Sequence, residues 1–282
     1  MYLGVDVGGT KTLVASLTNK GKITESVKFP TPKSYNDFIR QLTETIHGLK
    51  TKEFQAGGIA LPGKIDRAQG VRKHATGLVF GNLPWKNVPI QADLEKIIHA
   101  PVIVENDANA GAVSEARLLK DKYETALYIA IGTGIGVGAT RHGRLIPGLE
   151  DMEAGQILLE HQGKLEKWES FASGHAIFKR FNKRASEITD ERTWKIISKD
   201  LAAGIIQLIA IVQPDVIILG GGIGTHYPKY KKYLLEVLKR YEVPLVPIPP
   251  IVQAKRPEEA VVYGCYNLAK ERYGNTTKVT AA

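Results

Sequence analysis

Asp107 follows an apolar run, "PVIVEN" (101–106), and opens a run of small residues, "DANAGAVSEA" (107–116). A carboxylate at the tip of a strand and the mouth of a helix has two uses. It can accept hydrogen bonds from the helix's unpaired N–H groups, or it can take a proton from a hydroxyl that is becoming a nucleophile. Asn106, beside it, offers the amide donor and acceptor that hydroxyl groups pair with. Three glycine-rich turns also follow apolar runs: "DVGGTKT" (6–12), "IGTGIGVG" (131–138) and "LGGGIG" (219–224). Without a Cβ, a glycine turn brings backbone N–H groups close to phosphate oxygens. Any one of them is also an ordinary tight turn. Three at equivalent strand ends, the first carrying Asp6, Thr10 and Lys11, favour phosphate binding.

Two familiar nucleotide motifs are excluded. "GIALPGK" (58–64) has the spacing of a P-loop, but Ile65 replaces the Ser or Thr that would meet magnesium, and no helix follows. In "IGTGIGVG" glycine recurs at every second position and leads into a β-like segment, which argues against a dinucleotide fold.

The elements that must hold these residues read as two α/β series. Strand, glycine turn and strand in "MYLGVDVGGTKTLVASLTN" are followed by a strand in "KITESVKF". A helix in "YNDFIRQLTETIHGLK" places Phe38, Leu42, Ile46 and Leu49 on one face. "AGGIALPGKID" is strand and turn, "QADLEKIIH" a short helix and "PVIVEN" a strand. The pattern then partly repeats from "TALYIAIGTGIGVGATRHGRL". In "DERTWKIISKDLAAGIIQLIAIVQ" a helical stripe runs through Trp194, Ile197, Leu201, Ile205, Leu208 and Val212. Next come a strand in "DVIILGGG", a basic helix over 228–242, a strand around "PLVPIPPIVQA" and a helix in "PEEAVVYGCYNLAKERYG". The expected domains are an N-terminal lobe, 1–108, joined by the C-terminal helix 257–274, and a C-terminal lobe, 109–256.

At 282 residues the chain has room for two lobes, each with a core. No apolar run is long enough for a membrane span and no secretory signal is evident, so a cytoplasmic location is expected. The single cysteine, Cys265, excludes an internal disulfide and a cysteine-cluster zinc site, and its apolar setting reads as packing. The formal charge of +9 is spread out, and "YPKYKKY" and "FKRFNKRAS" read as solvated helix faces. Neither a nucleic-acid nor a membrane partner is expected. The field could still attract an anionic substrate.

In their order, "GVDVGGTKT", "LPG", "VENDANAGA", "AIGTGIGVG", "ESFASG" and "IILGGGI" resemble the ROK family of sugar kinases, within the actin/hexokinase/Hsp70 ATPase superfamily. The likeness implies a two-lobed actin-like, ribonuclease H-like α/β fold, duplicated and with a cleft between the lobes. It implies transfer of the ATP γ-phosphoryl group to the 6-hydroxyl of glucose or a related hexose, with Asp107 as general base. Asp6 would hold Mg2+, directly or through water. Gly8, Gly9, Thr10 and Lys11, then Gly132, Thr133 and Gly134, would meet the phosphates, and Gly221 and Gly222 the adenosine. Gly63, Asn82, Asn106, Glu153, Gln156 and Glu169 would meet the sugar. Trp85, in "GNLPW", reads equally as a sugar-site wall or as core. A homodimer is expected by family analogy.

The chain departs from the family's pattern after Glu153. Gln156 stands where many members have a histidine that binds zinc and sugar, and the cysteines of the zinc loop are absent, so no zinc site is expected. His161 and His175 lie nearby, but lone histidines are usually satisfied by the protein. Some zinc-less relatives use polyphosphate, which keeps that donor open beside ATP. A catalytically silent sugar- or nucleotide-binding protein is the alternative to an enzyme. The family's repressors carry a helix-turn-helix ahead of the first hairpin, which here begins at Leu3, so direct DNA binding is not expected.

Overall fold

The computed structural model describes residues 1–74 and 83–274. The chain divides into two compact units, Met1–Ser114 with the segment from Glu259 onward, and Glu115–Glu258.

In the first unit, β1 (Tyr2–Val7), β2 (Lys11–Leu17) and β3 (Ile23–Pro30) form an antiparallel meander. Helix α1 (Tyr35–Gly48) starts at Ser34, whose side chain accepts the Asp37 N–H. Strands β4 (Ala56–Leu61), β5 (Lys64–Asp66) and β6 (Val71–His74) follow, then α2 (Ile90–Ile98), β7 (Val102–Asn106) and α3 (Asp107–Arg117). That Lys64–Asp66 is a strand removes the P-loop resemblance structurally as well. The sheet order is β3-β2-β1-β4-β7, with β1, β4 and β7 parallel.

Leu3, Val5 and Val7 join Phe38, Leu42 and Ile46 of α1 in one core cluster, and Leu49 joins them just beyond the helix. Tyr2, Leu13, Ala15 and Leu17 pack instead with Val262 and Tyr266 from the C-terminal segment. Both sheet faces are therefore covered, which is why the central strands are almost wholly apolar. The parallel strands end together, with Asp6 opposite Ala60, Ala60 opposite Glu105 and Leu61 opposite Asn106. Ligands of open α/β sheets bind at such carboxyl ends.

The second unit repeats this plan. Strands β8 (Thr125–Ile131), β9 (Ile135–Arg141) and β10 (Arg144–Leu145) form the meander. A hairpin of β11 (Leu158–His161) and β12 (Lys164–Lys167) leads directly into α4 (Trp168–Ala172) and then α5 (Gly174–Phe181). Helix α6 (Glu191–Val212), β13 (Val216–Gly220), α7 (Gly221–Gly224), α8 (Tyr227–Lys239) and β14 (Ile251–Gln253) complete it. The order β10-β9-β8-β13-β14 is that of the first sheet, with β8, β13 and β14 parallel.

Trp194, Ile197, Leu201, Ile205 and Leu208 of α6 are buried, each contributing about 1.5–3 kcal/mol relative to exposure. In α8, Tyr227, Tyr230, Leu234 and Leu238 face the core, whereas Lys229, Lys231 and Lys232 are exposed. The strand expected around 244–254 shrinks to Ile251–Gln253, and the hairpin β11–β12 was not anticipated.

The C-terminal helix α9 (Ala260–Tyr273) returns to the first unit. It rides close over β1: a Cβ on Gly4 would lie 2.8 Å from the Val262 carbonyl oxygen. Cys265 is buried there, and its Sγ donates to the Val5 carbonyl.

Candidate active site

Asp107 begins α3 at the carboxyl end of β7. Asn106 is the better cap: its Oδ1 accepts the N–H groups of Ala108 at 2.9 Å and Asn109 at 3.3 Å. Asp107 Oδ1 also accepts from Ala108, at 2.9 Å. Burial raises the Asp107 pKa above the usual carboxylate range, while the Ala108 N–H and the Arg72 charge pull it back. Asp6, half-buried near the end of β1, is pushed up to about 7 by burial and by the Asp107 charge, with Lys28 opposing.

The turn after β4 is tied to this junction. Gly63 has φ 101°, a conformation that favours glycine, and its carbonyl accepts Asn106 Nδ2 at 3.3 Å. Behind the junction, buried Glu105 receives Arg67 through both oxygens, Nε at 2.8 Å and Nη2 at 2.6 Å. The same carboxylate accepts Asn106 N and Asn109 Nδ2. Glu105 and Arg67 went unnoticed in the sequence, where the Glu of "VEND" was the only signal.

At the first glycine turn, Gly8 N donates to Lys11 O at 2.9 Å, and Thr10 and Lys11 are exposed. Thr31, also missed, donates its hydroxyl to Gly8 O and its N–H to Thr10 O. Lys33 Nζ donates to Gly9 O at 3.3 Å. With these four carbonyls engaged, few oxygens of the turn are left to repel an anion.

In the second unit the glycines divide into two kinds. A Cβ on Gly132 or Gly222 would meet no protein atom within 4 Å, so packing does not explain glycine at either position. Gly221 has φ 72° and its Cβ would lie 2.7 Å from Ile131 backbone, which is a requirement of the turn itself. At Gly134 a Cβ would lie 2.7 Å from Glu169 Oε2, so this glycine makes room for a carboxylate of its own unit. Thr133 is exposed between them.

Glu169, in the first turn of α4, accepts Gln156 Nε2 at 2.6 Å on one oxygen and Ile135 N at 3.3 Å on the other. Its neighbour Trp168 is buried, donates Nε1 to Asp200 O and covers Gly204 of α6. Gln156 and Glu169 are thus brought together, whereas Glu153 is exposed at the start of the short turn Ala154–Gln156. His161 stacks on Phe171, its Nδ1 2.9 Å from Glu166 and its Nε2 3.7 Å from Asp200. His175 sits in the first turn of α5.

Trp85 resolves as core: it is buried against Phe38 at 4.5 Å between ring centres, and its Nε1 donates to Lys33 O. Asn82 lies outside the described residues. Among the described residues no three His, Cys, Asp or Glu side chains group as a metal-holding set. A lone carboxylate such as Asp6 suits a cation that keeps most of its water, as Mg2+ does.

Comparison with known proteins places these features in a family. The profile of the ROK family matches residues 2–272. The glucokinase of Thermotoga maritima is 28% identical over 315 residues, covering 96% of this chain and 98% of that one. A fructokinase of Lactococcus lactis subsp. cremoris is 27% identical over 234 residues, covering 79% of each. The crystal structure of inorganic polyphosphate/ATP-glucomannokinase from Arthrobacter sp. strain KM matches at TM-score 0.72 and 26% identity, over 96% of this chain and 98% of that one.

Proposed function

Because the chain belongs to the ROK family and has its actin-like ATPase fold, we propose that it is a hexose kinase. It transfers the γ-phosphoryl group of ATP to the 6-hydroxyl of glucose or a close relative, with Asp107 as general base. The observation that carries this reading is the division of labour at the β7–α3 junction. Asn106 caps the helix, and Asp107 keeps a carboxyl whose pKa burial raises above the usual carboxylate range, which makes it a better proton acceptor than a solvated carboxylate.

In this reading Asp107 receives the hydroxyl proton as the sugar oxygen bonds to phosphorus. Gly63, Asn106, Glu153, Gln156 and Glu169 orient the sugar. One N–H of Asn106 is spent on Gly63, and the second is suited to a hydroxyl. Gly8, Gly9, Thr10 and Lys11 of the first unit hold phosphate oxygens. Within the second unit, Gly132, Thr133 and Gly134 are the proposed phosphate-binding residues, and Gly221 and Gly222 the proposed nucleoside-binding ones. Asp6 would hold Mg2+, through water, and the ion when bound would neutralise phosphate charge. No zinc is required, since Gln156 rather than a histidine supports Glu169.

The test is sugar-dependent ADP release from Mg-ATP across hexoses and N-acetylhexosamines, fructose included because of the fructokinase likeness. Turnover with one or two sugars is expected. A second reading, with polyphosphate as donor, is favoured by the likeness to the glucomannokinase and by the net charge of +9. It predicts sugar phosphorylation from polyphosphate without nucleotide. No product from either donor with any sugar would leave only a silent binder. We further expect a homodimer, readable by light scattering. We also expect a cytoplasmic location and neither nucleic-acid nor membrane partners; no helix among the described residues is long and apolar enough to cross a membrane.

A further inference from the structure

Arg72, in β6, is fully buried. Its guanidinium is spread over backbone carbonyls: Nε donates to Pro62 O at 3.0 Å, and Nη1 donates to Leu83 O at 3.3 Å and to Trp85 O. Nη2 is buried with no hydrogen-bond partner among the described residues. The backbone of Arg72 is fixed as well, exchanging two hydrogen bonds with Val88 at 3.2 Å.

A buried guanidinium that meets no carboxylate directly is costly, and an apolar side chain of similar size would fill the space without that cost. The charge therefore has a use beyond packing. The acidic group whose charge acts on Arg72 is Asp107, and the action is mutual. Contacts trace the same route. Arg72 holds Pro62; the next residue, Gly63, holds Asn106; and Asn106 adjoins Asp107.

We propose that Arg72 is a positioning residue for the phosphoryl transfer: it fastens the Leu-Pro-Gly turn, and through Gly63 the Asn106–Asp107 junction, to residues 83–85, and carries a buried positive charge whose field reaches the Asp107 carboxylate. This rests on the reading of Asp107 as the base. Among the described residues, the Asp107 charge also acts on Asp6 of β1, which Lys28 of β3 counters, while Glu105 of β7 is paired with Arg67.

The test uses full-length protein carrying 13C-labelled aspartate. The Asp107 carboxyl signal, assigned with Asp107→Asn, is titrated in wild type, Arg72→Gln and Arg72→Lys, with sugar and nucleotide KM measured alongside. Arg72→Gln is expected to raise the Asp107 midpoint by about one pH unit, the effect of losing a nearby opposite charge. The acid limb of kcat/KM should follow it. Arg72→Lys should leave the midpoint in place but raise the sugar KM several-fold at constant nucleotide KM, because an ammonium group reaches fewer of the carbonyls. An unmoved midpoint in folded Arg72→Gln would overturn the proposal. If that variant does not fold, Arg72→Lys decides: a moved midpoint or an unchanged sugar KM overturns it. The titration needs no turnover. A wild type that phosphorylates no sugar sinks the kinase reading, while the midpoint still reports on the Arg72 charge.

Discussion

Asn106 caps α3 through its side-chain oxygen, and the neighbouring Asp107 carboxyl, which accepts the Ala108 N–H on one oxygen, is the group proposed as the base. Asp107→Ala should therefore lower kcat by about 10²–10⁴ while calorimetry finds sugar affinity changed no more than a few-fold. Turnover like wild type would refute the assignment. Asn106→Ala should act differently, through lost capping, at a cost of about 1 kcal/mol of stability. Asp6 gives a pH prediction of definite sign. Its folded pKa of about 7 lies above the ordinary aspartate value of 3.8, so the folded state binds the extra proton between those limits. Its stabilising contribution is full below the unfolded value and is lost as pH rises through about 7. In magnesium-free buffer, Asp6→Asn should thus gain in Tm over wild type between pH 6 and 8. A constant difference across that range would contradict the buried, charge-coupled environment of Asp6.

At the scale of elements, hydrophobic period and glycine punctuation made most of the fold legible in the sequence. The stripe from Trp194 to Leu208 and the trio Phe38, Leu42 and Ile46 are buried as a 3.6-residue period requires. The strand expected around 244–254 overlooked Pro244, Pro247, Pro249 and Pro250, which supply no N–H for a ladder. Pairing therefore begins only at Ile251. The hairpin β11–β12 was readable in principle. Gln162 and Gly163 both have positive φ, the type I′ turn that Gly favours, between alternating residues. Its strands are only four residues each, too short for a clear period. This hairpin delivers Trp168, and with it Glu169, to α6, where Gly204 leaves room for the indole. Gly204→Ala should overpack that contact and destabilise the protein by about 1–3 kcal/mol, with the sugar KM rising as Glu169 shifts. A thermal melt matching wild type would show that the contact is loose.

Across the whole molecule, what the sequence left hidden are pairs joined only by the fold: Arg67 with Glu105, Thr31 with Gly8, and Gln156 with Glu169. No spacing rule links them, because each pair spans different elements. The expectation of no structural zinc also belongs to this scale. Cys265 is the chain's single cysteine, and it is buried within α9 against β1 with its thiol pKa raised by burial, so it stays a neutral thiol rather than a thiolate ligand. Where the family's zinc loop would lie, the hairpin is held by His161, stacked on Phe171 at 4.2 Å and flanked by Glu166 and Asp200. Both ring nitrogens thus face carboxylates of the protein. A structural zinc supplies folding energy on the order of 10 kcal/mol, so stripping it from a protein that depends on it collapses the melt. Here a zinc-selective chelator should leave Tm within about 1 °C, whereas His161→Ala should lower stability by about 1 kcal/mol through the lost ring contact. Stoichiometric zinc by elemental analysis, or a chelator effect larger than that of His161→Ala, would mean that the metal and not the hairpin supports Glu169.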